Sequence, residues 1–297
     1  MVSVSYNTVM IRRYARPILA FAVLAMTIIG SIYFLLHHPA VGHQLIATNK
    51  LILLQLLLLY FLFMGSLWLV FRSSLVICNI RLPKRETMLV TAYSSIINFF
   101  GPLQSGPAFR MLYLKKRHSV SLKQYGSASL LYYFFYALYS GFFLISGLLK
   151  WWTIPLLALA NVILYILILR YGAKLKLLSF TKIKGIALTA LSSFLQVSVF
   201  AVIFYVELHS VDASVTMSQA LVYTGAANFA LFVSITPAAI GFRESFVLLT
   251  QQLHHISSTT IVAASLLDRG VYVSMLILMG ILIFGSHAKQ TITNIRS

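Results

Sequence analysis

The stretch of sequence that decides the fold is residues 98–110, NFFGPLQSGPAFR, together with a similar stretch at residues 234–244, SITPAAIGFRE. Each stretch places proline and glycine, which interrupt helices, inside a strongly apolar region. An internal repeat that carries broken helices is typical of the substrate site of a membrane transporter.

The two stretches keep a nearly constant separation along the chain. Three matching pairs are 135, 135 and 136 residues apart: Pro102 and Pro237, Gly106 and Gly241, and Ala128 and Ala264. The copies therefore stay in register with about one inserted residue. The alternative is a chance similarity between two apolar, alanine-rich stretches.

The composition indicates a membrane protein. Hydrophobic residues make up 60% of the 297 residues and charged residues only 9%, which excludes a soluble globular domain. The formal net charge of +18 would favour nucleic acid as the partner of a soluble chain, but here the basic residues lie in short loops between apolar spans. There they orient the protein and contact anionic lipid headgroups, so no nucleic-acid partner is expected.

Six apolar segments approach the roughly 20 residues that a transmembrane helix needs. They are residues 17–36, 51–71, 124–148, 151–170, 185–207 and 259–285. The first follows three arginines as a signal peptide would, but its length and the lack of a small-residue cleavage site favour an uncleaved helix. Two further segments, 87–113 and 216–251, are apolar but interrupted by the proline and glycine residues.

The basic residues predict how the first broken segment runs. With a cytoplasmic N-terminus, eighteen Lys and Arg fall in cytoplasmic segments, and only Lys50 and Lys150 fall outside. If segment 87–113 crossed the membrane once, the basic cluster 115–117 would move outside, against the positive-inside rule. We therefore expect this segment, the first hairpin, to enter from the cytoplasm and return there.

The same count places the second broken segment, 216–251, between two outer segments, 207–212 and 254–255. This second hairpin is therefore expected to enter from the opposite face. The alternative is that one or both broken segments cross as kinked helices.

The predicted fold class is an all-α polytopic membrane protein with six transmembrane helices plus two re-entrant broken-helix hairpins in an inverted repeat. Residues 1–297 form a single membrane domain, with 1–148 as the first inverted repeat and 149–297 as the second. A pseudo-two-fold axis in the membrane plane would relate the two repeats, and both termini would be cytoplasmic.

The hairpin tips are predicted to carry the binding chemistry. Non-helical backbone inside hydrocarbon survives only where protein or a water-filled cavity surrounds it, so the tips should line an interior. Pro107 suits the start of a restarting helix, whose free N–H groups and positive dipole end would seat a phosphate, and Gly106 and Gly241 would let the backbone approach it closely. Arg110 would add a cation of bidentate geometry, and Arg243 and Glu244 occupy the corresponding place.

Ionisable and amide side chains within the apolar segments are further candidates. A charge near the bilayer centre costs about 2.5–3.5 kcal/mol, so such residues default to a functional or paired role. Asp268 and Arg269 are adjacent and should each reach a different neighbour, while Arg110 and Glu244 are expected to pair across the repeats. Asn98 and Asn228 are expected to hydrogen-bond across helices, and structural ion pairing is the alternative for each charge.

Other chemistry finds little support in the sequence. The histidine pairs 37–38 and 254–255 have no acidic or cysteine partner at metal-ligand spacing, and Cys78 is the only cysteine, so no metal site is expected. The aromatic run 132–136 is interpreted as helix packing or an interfacial belt. No phosphate-binding loop, zinc-protease motif or nucleophile elbow occurs, so we expect neither a cofactor nor an enzyme.

The residues of the two stretches match the motifs of a known family. The matching residues are Pro102, Gly106 and Arg110 in the first stretch, Pro237, Gly241 and Glu244 in the second, and Arg269 in the following helix. Here the chain resembles the transmembrane-region family named after lysylphosphatidylglycerol synthase, often described as a flippase-like domain, whose motifs are roughly P-x-x-x-G-E-x-x-R and P-x-G-x-G-x-x-E. The chain ends about a dozen residues past its last predicted helix, so it is expected to lack the soluble synthase domain and not to make aminoacyl-lipid.

Three positions depart from the family pattern. Pro107 stands where the family usually has glutamate, Ala239 replaces a glycine, and Tyr132 and Tyr133 occupy the place of an acidic/arginine pair. A mechanism that needs the first glutamate is therefore in doubt for this chain.

The resemblance implies an integral membrane lipid translocase of the bacterial inner membrane. Its substrate would be an anionic or aminoacylated phospholipid, or a polyprenyl-phosphate-linked lipid, moved between leaflets. Two alternatives are a non-transporting scaffold of an envelope-polysaccharide pathway and a membrane glycosyltransferase, although the loop 37–49 lacks the acidic residues that the latter would want. Homo-oligomerisation is left open.

Overall fold

A computed structural model describes residues 48–101, 105–171, 180–233, 239 and 241–296, together with residues 29, 33, 36, 37, 39 and 42. Side chains are described for all of these except 168–169, 180–181, 233 and 284–296. The predicted first span, 17–36, lies almost entirely outside these residues, as do Pro102 and Pro237.

The described part of the chain is all-helical. Its helices are α1 (Lys50–Ile77), α2 (Lys84–Phe100), α3 (Ser105–His118), α4 (Leu122–Leu148), α5 (Thr153–Tyr171), α6 (Phe180–Val211), α7 (Met217–Val233), α8 (Phe242–Leu249), α9 (Gln251–His254) and α10 (Ser258–Arg296). Four stretches are long and apolar enough to cross a membrane: Lys50–Ile77, Leu122–Leu148, Lys182–Val211 and Ser258–Ile283. These agree with four of the six predicted spans, and a fifth predicted span coincides with the 19-residue α5.

Helices α1 and α6 form an antiparallel pair at the centre of the bundle. Contacts between them run in opposite directions along the two sequences: Tyr60 with Glu207, Phe63 with Phe200, Ser73 with Thr189, and Ile77 with Gly185. Buried apolar side chains of α1 and α6 join one core cluster that also takes in residues of α7 and α10. The α1–α6 pair is therefore the scaffold that supports the broken helices.

Helices α2 and α3 form an antiparallel hairpin, which is the predicted first hairpin. The helix stops at Gly101, whose backbone is extended, and restarts at Ser105. Three contacts tie the two arms together from the open end to the tip: His118 with Glu86, Arg110 with Ser94, and Gly106 with Asn98. The chain thus returns to the end of the bundle from which it entered.

The predicted second hairpin is also present, formed by α7 against α8 and α9. The His254 ring lies 6.0 Å from the Tyr223 ring, so the returning arm runs back beside α7. The first hairpin opens beside the C-terminus of α1, where Gln124 at the start of α4 donates to the Cys78 carbonyl. The second opens at the far end of α4, where Gly147 abuts Ser218, so the two hairpins enter the bundle from opposite ends.

The charged residues divide between these two ends. The end at which the first hairpin opens carries Arg81, Lys84, Arg85, Lys115, Lys116, Arg117, Lys123, Lys182 and Lys184. The opposite end carries Lys50 and Lys150 among the described residues, together with Asp212. We call the first of these the basic end.

The helix bounds follow the spacing found in the sequence. Adding 135 to the bounds of α1 gives 185–212, and α6 occupies Phe180–Val211; adding it to α2 gives 219–235, and α7 occupies Met217–Val233. The division into two inverted repeats at residue 148 stays a prediction, which these bounds and the antiparallel α1–α6 pair support.

The close packing of α4 against α7 depends on small residues. A Cβ atom added at Gly225 would lie 2.5 Å from Leu144 Cβ and 2.8 Å from the Ser140 carbonyl oxygen. We expect Gly225→Ala to lower the free energy of unfolding by about 1–3 kcal/mol, because α4 must move away from α7. Thermal or denaturant unfolding of the purified protein in detergent measures this.

Gly126→Ala is the matched control, since a Cβ atom there meets no atom within 4 Å. Equal losses of stability in the two variants would contradict the proposed packing role of Gly225.

Candidate functional site

The tips of the two hairpins meet at a cavity of about 200 Å³ in the middle of the bundle. Its wall is part aromatic and part polar. The polar and charged lining residues are Ser94, Ser95, Asn98 and Arg110 from the first hairpin, Tyr132, Tyr133 and Tyr136 from α4, Tyr60 and Gln196 from α1 and α6, and Arg243, Asp268, Arg269 and Tyr272 from α8 and α10. Both hairpins and both central helices contribute residues to this one surface.

Arg110 is a buried cation in the cavity wall, with 9% of the residue exposed. Its Nε donates a hydrogen bond of 2.7 Å to Ser94 Oγ, and its guanidinium lies 5.4 Å from the centre of the Phe71 ring. All five carboxylate side chains of the sequence lie in the described residues, and none is within 4.0 Å of Arg110. Arg110 is therefore held by neutral groups.

Two ion pairs connect the second hairpin to α10. Arg243 lies 2.6 Å from an Asp268 carboxylate oxygen, and Arg269 lies 3.0 Å from a Glu244 carboxylate oxygen. Ser265 donates to the same Glu244 oxygen at 2.5 Å. The expectation that Asp268 and Arg269 reach different neighbours is confirmed.

The expected pair of Arg110 and Glu244 is wrong. Glu244 instead forms ion pairs with Arg269 at 3.0 Å and with Arg243 at 3.5 Å. The charges of the second repeat are thus compensated within that repeat, because α8 packs directly against α10.

Glu207 is a further buried carboxylate, only 1% exposed. The sequence analysis placed it in an outer segment, but α6 continues to Val211 and keeps Glu207 inside the bundle. The Tyr60 hydroxyl lies between Glu207, at 3.3 Å, and Asp268, to which it is also hydrogen-bonded. Three of the five carboxylates therefore lie near one another in the interior.

The N-termini of the restarting helices are capped by the protein itself. The Gly106 N–H donates to Asn98 Oδ1 at 3.2 Å, and the Gly241 N–H donates to Glu244 Oε2 at 2.8 Å. Side chains of the same hairpin therefore satisfy these two N–H groups, and the seat for a phosphate at the hairpin tips stays a prediction. Pro107 is the third residue of α3, still in the first turn, where its missing N–H costs no intrahelical bond.

The two tip glycines serve the backbone. A Cβ atom at Gly106 would lie 2.5 Å from the Ser94 carbonyl oxygen, so glycine permits the close approach of α3 to α2. Gly241 has a φ of 80°, a backbone angle that residues other than glycine rarely adopt. Ala239, a departure from the family pattern, has a φ of 56° and holds a left-handed conformation that costs a non-glycine residue roughly 1–2 kcal/mol.

The structure brings together six of the predicted site residues. Asn98, Gly106, Arg110, Arg243, Asp268 and Arg269 line the cavity. Glu244 and Gly241 lie behind this wall. Asn228 accepts a hydrogen bond of 2.7 Å from Tyr136, which connects α4 and α7 as expected for a membrane amide. Pro102 and Pro237 lie outside the described residues.

The analysis of the sequence missed the role of the α4 tyrosines. Tyr132, Tyr133 and Tyr136 face the cavity and not only a packing interface. The repeat offset of 136 residues, which aligns them with Asp268, Arg269 and Tyr272, was the signal that could have found them. Gln196 and Glu207 gave no comparable signal, since they are single polar residues in an apolar helix.

The fold and the site define an integral membrane protein, all-helical in its described residues, with a charged cavity at its centre. The sequence model of the family described as "Lysylphosphatidylglycerol synthase TM region" matches residues 18–280. The chain belongs to this family. Searches of curated proteins and of solved structures gave no match.

The pair of Arg243 and Asp268 is suited to a double-mutant test. Removing one partner leaves a buried charge, so we expect Arg243→Ala and Asp268→Ala each to cost about 3–5 kcal/mol of stability. The double variant should cost less than the sum, because the stranded charge is removed. Unfolding of the purified variants in detergent measures the coupling.

Glu86→Ala provides the comparison, because the Glu86–His118 pair is about one-quarter exposed at the basic end. A surface pair of this kind contributes about 0–1 kcal/mol. Additive losses at Arg243 and Asp268 would rule out the contact.

Proposed function

We propose that this protein is a flippase-like lipid translocase that moves a phosphate-bearing membrane lipid between leaflets without acting as an enzyme. The observation that carries the proposal is Arg110, a cation in the wall of the central cavity with no carboxylate within 4.0 Å. A buried cation without an acid is costly unless an anion visits it. A lipid phosphate supplies that anion, and the planar guanidinium matches its oxygens.

The arrangement of the hairpins supports transport. They open at opposite ends of the bundle, and their tips meet at the same cavity. One hairpin therefore lies between a headgroup bound at the cavity and each end of the bundle. Small movements of the hairpins would expose the cavity to each leaflet in turn, as in other carriers built from broken helices.

We further propose that the described helices belong to a six-span protein in which both hairpins are re-entrant and the basic end faces the cytoplasm. This topology is supported by the division of the charges between the two ends. The proposal includes a bacterial inner membrane as the location and a cytoplasmic position for both termini.

A non-transporting scaffold for envelope-polysaccharide assembly is the second candidate. It would account for the membrane fold, but it gives no reason for a cation to face an interior cavity. A glycosyltransferase is less well supported, because the carboxylates near the cavity are engaged by arginine or tyrosine side chains.

Cysteine accessibility tests the topology. In a Cys78→Ser background, we expect Lys150→Cys to react with a membrane-impermeant thiol reagent added to intact cells, and Lys116→Cys to react only after the cells are opened. Both lysines are exposed at opposite ends of the bundle, so they form a matched pair. Labelling of Lys116→Cys from outside would overturn the orientation.

Reconstitution tests the function. Purified protein in liposomes should move a fluorescent anionic lipid between leaflets faster than empty liposomes do. Arg110→Lys should slow this movement about tenfold or more, since the loss of one charge-assisted hydrogen bond costs about 1.5–3 kcal/mol. The unfolding temperature should change little, because lysine keeps the charge.

Lys150→Gln is the control, because Lys150 is an exposed cation far from the cavity. The translocase proposal fails if the parent protein moves no phospholipid and no polyprenyl-phosphate lipid, or if Arg110→Lys transports as fast as the parent.

A further inference from the structure

We propose that the cavity selects a lipid with an anionic phosphate and a neutral, hydroxyl-bearing headgroup, such as a glycerol or a sugar, and excludes lipids with an amine headgroup. This inference rests on the proposed function and names its substrate class. It follows from where the chain places its carboxylates and its unpartnered polar atoms.

The carboxylates leave no open site for a cationic headgroup. Asp268, the single carboxylate in the described cavity wall, is held by Arg243 and by the Tyr60 hydroxyl. Glu244 lies behind the wall and binds Arg269, Ser265 and the Gly241 N–H. An ammonium group entering the cavity would therefore have to displace an arginine.

The remaining carboxylates lie elsewhere. Glu207 contacts Tyr60 on the side away from the cavity lining, Glu86 is at the mouth of the first hairpin, and Asp212 follows the end of α6. The three arginines of the wall thus face one carboxylate within it. Arg243 and Arg269 are paired with Asp268 and Glu244, whereas Arg110 has no carboxylate within 4.0 Å, so Arg110 favours an anion over an amine.

Three buried polar atoms of the wall lack a hydrogen-bond partner among the described residues: Arg243 Nε suits an anion, and the other two suit a neutral partner. Ser95 Oγ and Gln196 Oε1 have no hydrogen-bond partner among the described residues, and both residues are 3% exposed. Both residues line the cavity, one from the first hairpin and one from α6. A hydroxyl group satisfies them, because it accepts from serine and donates to the amide oxygen.

The difference between the two repeats also favours a neutral, hydroxyl-bearing headgroup over an amine. Tyr132 and Tyr133 occupy, at an offset of 136 residues, the positions that Asp268 and Arg269 hold in the second repeat. The first half of the cavity therefore presents aromatic rings and neutral hydroxyls beside Arg110. Phenol groups bind polyols through hydrogen bonds and ring faces, and they offer no countercharge to an amine.

Lipid binding by the full-length protein tests the inference separately from transport. Native mass spectrometry in detergent would compare phosphatidylglycerol with phosphatidylethanolamine and lysyl-phosphatidylglycerol of identical acyl chains. We expect at least about tenfold greater retention of phosphatidylglycerol, equivalent to about 1.4 kcal/mol. Soluble glycerol phosphate at the same concentration should not displace the lipid, and displacement would indicate a site for a free anion.

Variants of the cavity wall assign the selectivity to residues. Gln196→Leu should lower the retention of phosphatidylglycerol relative to phosphatidic acid, which lacks the hydroxyl-bearing group, and leave phosphatidic acid unchanged. Tyr132→Glu should raise the retention of the amine lipids relative to phosphatidylglycerol, because it adds a second carboxylate to the cavity wall. Lys150→Gln should change none of these ratios.

The outcomes separate the two proposals. If the parent protein retains either amine lipid as well as or better than phosphatidylglycerol, the inference is overturned, whether or not lipids move in liposomes. Selective retention of phosphatidylglycerol without movement in liposomes supports the inference as a lipid-binding site and overturns the translocase. If every variant binds as the parent does, the cavity is not the binding site and the inference falls.

Discussion

The structure depends on one constraint: backbone that stops being helical inside an apolar bundle must still have its polar groups paired. Each hairpin meets this requirement with its own side chains. Asn98 caps the Gly106 N–H, Ser105 donates to the Ile97 carbonyl, and Glu244 caps the Gly241 N–H. These caps are internal to the hairpins, so the described N-termini of α3 and α8 need no ligand to pair the Gly106 and Gly241 N–H groups.

The two halves of the protein share a backbone plan and differ in how charge is handled. In the second half, two arginine–carboxylate pairs tie α8 to α10. In the first half, Arg110 is held by a serine hydroxyl and an aromatic ring, and the helix that follows supplies tyrosines. The charged side chains of the two halves are therefore arranged differently around one cavity, and this difference underlies the proposed preference for an anionic lipid.

The sequence predicted most of the described fold because its signals are strong and local. Apolar length located α1, α4, α6 and α10, and the proline and glycine residues located both hairpins. The site was predicted only in part. Arg110, Arg243 and Asp268 stood out as charges in apolar segments, but the partner of Glu244 depended on the packing of α8 against α10, which no local pattern encodes. Glu207 was misplaced because loop charges say little about where a helix ends.

The placement of the five carboxylates also affects the membrane around the protein. Three of them lie in the interior, so the nine described lysines and arginines of the basic end face the headgroup layer with Glu86 as their nearest acid. Each basic residue near an anionic leaflet contributes about 1 kcal/mol of attraction. The annulus of lipid at the mouth of the first hairpin will thus be richer in anionic species than the bulk bilayer. If the protein is the proposed lipid translocase, it draws on a lipid composition that it creates locally, and its apparent affinity will depend on the ionic strength and on the anionic fraction of that leaflet.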